Sequence, residues 1–344
     1  MLSQRLKGAT ATPTAAEYLA IQATNTPEVY LWEESGFGTK FANPGVMSGT
    51  GRGVAFSPLG DAIASAINAT PFISVYAWSG AGFGAKFANP ATLPAGQGNG
   101  VAFSPAGDAI AVAHNTTPFI SVYAWSGAGF GAKFADPATL PLGTGFSVAF
   151  NPAGNAIAVG HLTSPLITIY QWSASGFGTK YTNPGSSQDF RGYGVAFSPD
   201  GNAVAVAHDS TPNITVYPWS GAGFGTKFAN PATLPTGNGR GVAFSPASDA
   251  IAVAHITSPF VTAYPWSGSG FGTKFTNPAT LPAGTCFGVA FSQSGNAVAT
   301  AGAGSSPNTL SVYPWSGAGF GTKFANPASP SPYNTHNGVA FGGV

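Results

Sequence analysis

Charge is scarce in this sequence. Of 344 residues only 7% are Asp, Glu, Lys or Arg, against about 25% in an ordinary soluble domain. The net charge is +1, so neither a basic track for a nucleic acid nor an acidic channel is expected. Cysteine is nearly missing as well. Cys286 stands alone, which excludes an intrachain disulfide. There is no run of 18 apolar residues, so no membrane-spanning helix is expected. The opening "MLSQRLKGATATPTAAEYLA" has Arg5 and Lys7 but no apolar segment behind them, so no secretory signal is expected and the location expected is cytoplasmic. What is abundant is glycine (48) and proline (29), set in a chain that is 44% hydrophobic and 13% aromatic. That apolar content argues against disorder and for many short strands joined by tight turns.

Two phrases set a period. "VAF" begins at Val54, Val101, Val148, Val195, Val242, Val289 and Val339, and Tyr-x-Trp begins at Tyr30, Tyr76, Tyr123, Tyr170, Tyr217, Tyr264 and Tyr313. Seven copies of about 47 residues mark a repeat architecture, which must be settled before any motif inside a copy is interpreted. One copy, "VAFSPDGNAVAVAHDSTPNITVYPWSGAGFGTKFANPATLP", divides cleanly. "VAF" is a short apolar strand stopped by the "SPDG" turn, with Pro second and Gly fourth. "NAVAVAH" and "ITVYPW" follow as strands of period two, and "FGTKFAN" as a fourth. The pattern predicts a four-stranded antiparallel sheet and no helix.

The phase of the copies predicts closure. After an N-terminal arm (1–14), the chain enters at a second strand, "EYLAIQA", and it ends on a first strand, "GVAFGGV". The strand missing at one end is the strand left over at the other. A ring uses both, whereas a linear stack gains nothing from such a balance. The expected fold is therefore all-β: one domain (15–344) forming a seven-bladed β-propeller of four-stranded antiparallel blades, closed by the C-terminal strand pairing with the N-terminal blade.

"VAFSPDGNAVAVAH…ITVYPW" resembles the first three strands of the WD40 repeat, including its Phe-Ser-Pro-Asp-Gly turn and the Trp closing strand three. The chain departs from that family in lacking the Gly-His pair before strand one. The Asp expected after Trp is replaced by Ser in six copies and by Glu33 in the first. The family's buried His–Ser–Trp–Asp network is therefore expected to be missing. Copies this alike, with recurring "KFANPATLP" phrases, also resemble propeller proteins encoded by tailed bacteriophages.

Repeated polar residues supply the candidate sites. "GAGFGTK" superficially resembles a phosphate-binding loop, but it lacks Gly-Lys-Ser/Thr leading into a helix. It is expected to be the turn into an outer strand. Lys40, Lys86, Lys133, Lys180, Lys227, Lys274 and Lys323 share one position and are expected around the rim. There they would block strand-to-strand aggregation or contact an anionic partner. His114, His161, His208 and His255 share the end of strand two. They are expected on one solvent-facing or turn-bonding surface, with recognition as the functional alternative and with no metal site, since adjacent copies would lie about 10 Å apart. The Tyr-x-Trp aromatics are expected between blades. Asp61, Asp108, Asp249, Asn155, Asn202 and Asn296 are expected to bond the first turn.

Because nearly every polar residue is copied, the sequence predicts no enzyme: no catalytic residue and no cofactor. The leading expectation is a non-catalytic structural or binding propeller of a phage particle, assembled in the host cytoplasm and located in the virion. Arg5 and Lys7 would dock it on other virion proteins, with a homo-oligomer in a larger assembly left open. The alternative is a lectin-like adhesin taking a host-surface glycan or receptor in repeated pockets. A hydrolase or lyase using the central channel ranks third. Individuality is sought in the unrepeated segments 1–14, 184–194, 301–308 and 329–338.

Overall fold

The computed structural model describes residues 16–185, 191–304 and 309–343. Among them are seven four-stranded antiparallel sheets, and no helix long and apolar enough to cross a membrane. In the first blade His336–Gly343 pairs with Glu17–Ala23, followed outward by Pro27–Glu33 and Gly36–Lys40. The register sets Leu19 opposite Phe341, Ala20 opposite Ala340 and Ile21 opposite Val339. The closure expected from the phase of the repeats is thus formed. The arm with Arg5 and Lys7 lies outside the described residues.

The blades pack through a size difference within strand two. Ala109–His114 reads "AIAVAH" and is buried along its whole length, because both of its faces meet protein. Alternation puts Ala109, Ala111 and Ala113 on one face and Ile110 and Val112 on the other. Ile110 and Val112 fill the cluster shared with Ala62, Ala64 and Ala66 of the preceding blade. The alanine face in turn receives Ile157 and Val159 of the following blade. Small against large lets adjacent sheets interdigitate without voids.

Farther out, each tryptophan seals the seam. Trp125 lies edge-on to Phe103 and Phe130 of its own blade and to Phe87 of the preceding one, at centroid distances of 5.4, 5.1 and 5.0 Å. Trp32 does the same at the closing seam, against Phe324 (5.2 Å) and Phe341 (5.6 Å). The aromatics are interblade core, as expected. The indole N–H groups of Trp32 and Trp78 find no acceptor, which fits the missing Asp after Trp.

The outer strand departs from expectation. It runs five residues in the first four blades but only Gly223–Phe224, Gly270–Phe271 and Gly319–Phe320 in the others. The "GFGTK" wording is the same, so the cause lies in strand three, where the short blades carry Pro218, Pro265 and Pro314. The Trp219 N–H donates inward to the Asn202 carbonyl (2.8 Å). Position 218 therefore faces outward, where a proline has no N–H to extend the ladder.

At the axis the first strands crowd together. A Cβ on Gly194 would sit 2.9 Å from the Arg240 carbonyl oxygen, and one on Gly100 2.9 Å from that of Phe146. This explains the recurring glycine before "VAF". The third copy carries Ser147 instead, whose hydroxyl accepts the Val195 N–H at 3.3 Å. Gly194→Val is expected to cost about 1–3 kcal/mol by overpacking. Gly194→Ser, which repeats the Ser147 solution, is expected to cost less. Urea midpoints of the two variants check the order.

Candidate functional site

The sequence-predicted positions are mostly structural. His114, His161, His208 and His255 are wholly buried, not on a solvent-facing surface. The polar turn that follows folds back on them, and each ring Nε2 bonds a strand-three hydroxyl: Ser121 (3.1 Å), Thr168 (2.8 Å), Thr215 (3.0 Å) and Thr262 (2.9 Å). A fifth, His336, is buried in the closing blade with its Nδ1 2.7 Å from the Thr309 hydroxyl. Burial pushes all five down to a pKa of about 4, since a charged imidazole loses its hydration there. They are neutral at physiological pH.

The lysines curl onto their own turns. Lys86, Lys274 and Lys323 donate to Asn89 (2.6 Å), Asn277 (2.5 Å) and Asn326 (2.5 Å), while Lys180 reaches Asn183 and Lys133 pairs with Asp136. Lys40 instead pairs with buried Glu28 at 3.1 Å. Lys227 follows the shortened strand Gly223–Phe224. "KFAN" is thus largely a lysine tied to the Asn or Asp three residues on. The first-turn carboxylates bond the turn through its serine hydroxyl and not, as expected, through its backbone. Ser104 donates to the Asp108 carboxylate (2.6 Å) and accepts the N–H groups of Asp108 and Ala109.

What the sequence reading missed is a single column of the repeat. Two residues before each "VAF" valine stand Arg52, Asn99, Phe146, Tyr193, Arg240, Phe287 and Asn337. The positions on either side of it are mostly glycine, whereas this one holds Arg, Asn, Phe or Tyr. Each of these residues sits on the innermost strand of its blade, one from each of the seven. Together they encircle a channel of about 190 Å³ and help line an open cavity of about 490 Å³ at its mouth. Gln97, Asn115 and Thr144 complete the mouth. The signal was available: aligning the copies on "VAF" and asking which column varies would have found it. Two unrepeated segments came close, since 184–194 contains Tyr193 and 329–338 contains Asn337.

The ring has two unlike sides. Arg52 stands between Asn337 and Asn99, whose side-chain amides donate to the Gly51 carbonyl (2.7 Å) and the Gly145 carbonyl (2.8 Å). Opposite, Phe146 and Tyr193 stack at 4.8 Å with a 38° tilt, and the Arg240 guanidinium lies 3.9 Å over the Tyr193 ring. Phe287 follows Arg240 around the ring. Among the described residues, two guanidiniums and no carboxylate line the mouth. Such a ring favours an anion or a developing oxyanion, with amides and aromatic faces suited to a small polyhydroxylated ring. None of its side chains is an obvious proton acceptor near neutrality.

No family model matches the chain, and no curated protein matches it. Solved structures share its fold from end to end. A Bacteroides fragilis protein assigned provisionally as a 6-phosphogluconolactonase superposes with a TM-score of 0.72 at 12% identity, covering 97% of this chain and 100% of that one. The periplasmic gluconolactonase of Pseudomonas aeruginosa gives 0.69 at 15% identity, covering 95% and 99%. A Lactobacillus plantarum protein gives 0.73 at 14%, with coverage of 95% and 99%. At these identities the likeness establishes the fold. The lactonase names nonetheless count against the expected non-catalytic virion component or adhesin. So does the variable column, because the argument against an enzyme rested on every polar residue being copied. That premise fails at the axis.

Proposed function

We propose that the channel mouth binds a sugar lactone and hydrolyses it to the sugar acid. The observation that carries this reading is the ring of seven residues of four kinds, two of them arginines, around the axial cavity of a largely repeated molecule. The gluconolactonase names of structural neighbours supply the substrate class. In the proposed reaction a water oxygen attacks the lactone carbonyl carbon, and the carbonyl oxygen becomes an oxyanion held by a guanidinium. The C–O ring bond then breaks, and the leaving oxygen takes a proton from the attacking water. The second proton of that water passes to solvent, leaving a carboxylate. Such a site works by positioning and charge stabilisation and needs only an ester already prone to hydrolysis.

The test is proton release from glucono-δ-lactone in a pH-stat, with the buffer rate subtracted. The intact protein is expected to exceed that rate. Arg240→Ala and Arg52→Ala are each expected to lower kcat/KM, by about 100-fold for the arginine that holds the oxyanion. An intact protein that adds nothing to the buffer rate sinks the reading.

A further inference from the structure

The two arginines of the ring are not equivalent. Arg52 is exposed, and its neighbours around the ring are asparagines. Arg240 is half-buried, its guanidinium lies flat over Tyr193 at 3.9 Å, and its Nε–H is buried with no acceptor among the described residues. Tyr193 is itself fixed from two sides. Phe146 stacks on it, and its hydroxyl accepts from Arg191 Nη1 at 3.3 Å, while Arg191 Nε lies 3.7 Å from Asp209.

We infer that Tyr193, backed by Phe146, is a positioning residue that holds the Arg240 guanidinium over the channel mouth as a preformed seat for a carboxylate, leaving Arg52 as the unheld cation across the axis. A guanidinium stacked on an aromatic face keeps its in-plane N–H groups free, and its orientation is fixed before any ligand arrives. The Arg240 Nε–H is buried without an acceptor among the described residues, so the stack on Tyr193 rather than a hydrogen bond through Nε fixes the guanidinium. Arg52 must be ordered on binding and so contributes less per contact. The sugar acid, being charged, is held at this seat more tightly than the neutral lactone from which it forms. The product therefore competes with substrate.

This inference rests on the channel mouth being the ligand site proposed above, and calorimetric titration with D-gluconate tests it without requiring turnover. The intact protein is expected to bind gluconate. Arg240→Ala and Tyr193→Leu are each expected to weaken binding by about tenfold or more. The double variant should be little weaker than either single one, because the two residues act as a unit. Tyr193→Phe, which keeps the stack and loses only the Arg191 bond, should restore most of the affinity. An unchanged thermal midpoint excludes misfolding of the Leu variant. Tyr193→Leu binding as well as the intact protein, Tyr193→Phe as weak as the Leu variant, or no gluconate binding at all would each overturn the assignment. If gluconate binds through Arg240 and Tyr193 but no lactone is hydrolysed, the seat stands and the hydrolysis falls.

Discussion

Cutting the chain after Asn334 is expected to leave no stable monomer. The cut removes the strand His336–Gly343, and with it every backbone partner on one side of Glu17–Ala23. Leu19 and Ile21, fully buried in the intact protein, would then sit on an open sheet edge. Such an edge is a template for pairing with another chain. The same cut takes Phe341 from Trp32, His336 from Thr309 and Asn337 from the axial ring. A domain's whole margin is about 5–15 kcal/mol, and losing a strand from the one blade that shuts the ring is expected to exceed it. Light scattering with circular dichroism should find aggregate or a strand-exchanged oligomer in place of a folded monomer. A truncated monomer melting like the intact chain would mean that the closing pair contributes little. Ala340→Pro is a milder version. It removes a backbone donor opposite Ala20 and is expected to lower the melting temperature without abolishing folding.

The ring was legible in the sequence because closure is a matter of phase. A chain that enters at "EYLAIQA" and leaves at "GVAFGGV" states its own topology once the copies are aligned. The strand-two alternation "AIAVAH" was equally plain, but its meaning needed the neighbouring blade. Period two ordinarily implies one wet face, whereas here Ala111 and Ile110 both meet protein. The same confusion displaced the histidines. A polar residue closing a strand before a turn was expected to face solvent or bond the turn; the turn folds back over His161, whose ring bonds the strand-three hydroxyl of Thr168 instead. Lys40, Lys86, Lys133 and Lys180 lie on the outer strand, whereas Lys227, Lys274 and Lys323 follow a shortened one, and the Asn or Asp three residues on was not anticipated as a partner. Alternation counts Pro218 as one more strand residue, whereas its missing N–H withholds a donor from the next strand.

The channel mouth was not recognised for a different reason. Repetition draws attention to what is constant, and in a nearly symmetric ring the constant residues build the blades. A ligand on the axis has no sevenfold symmetry, so a site for it must break the repeat at residues pointing inward. Arg52, Asn99 and Tyr193 do this within the short string "GxGVAF", and Phe146 within "GFSVAF". The symmetry of the scaffold and the asymmetry of the column are thus parts of one arrangement: copied strands fix the backbone, and one variable position on each inner strand sets the lining of the axis.

The five buried histidines give the second large expectation, that the protein unfolds cooperatively in mild acid. Folded, each imidazole has a pKa of about 4, lowered chiefly by burial; unfolded, each returns to about 6.5. As pH falls below 6.5 the unfolded chain takes up protons that the folded chain refuses, so stability falls with pH through the window from about 6.5 to 4. Below 4 both states are protonated and this loss stops growing. Each histidine can contribute up to about 1.4 kcal/mol per pH unit, so five acting together reach at most about 7 kcal/mol per unit, enough to exhaust an ordinary margin within the window. Urea unfolding from pH 7.5 down to 4.5 should therefore show a steep loss of stability beginning near pH 6.5. His208→Ile places at that position the residue the second blade already carries as Ile67. It should reduce the slope by about 1.4 kcal/mol per pH unit while leaving the fold intact. Stability that stays level across the window would mean that these rings keep access to water or to a proton. In that case the polar turns would not close over the strand ends, and the histidines would again be candidates for the surface where the sequence first placed them.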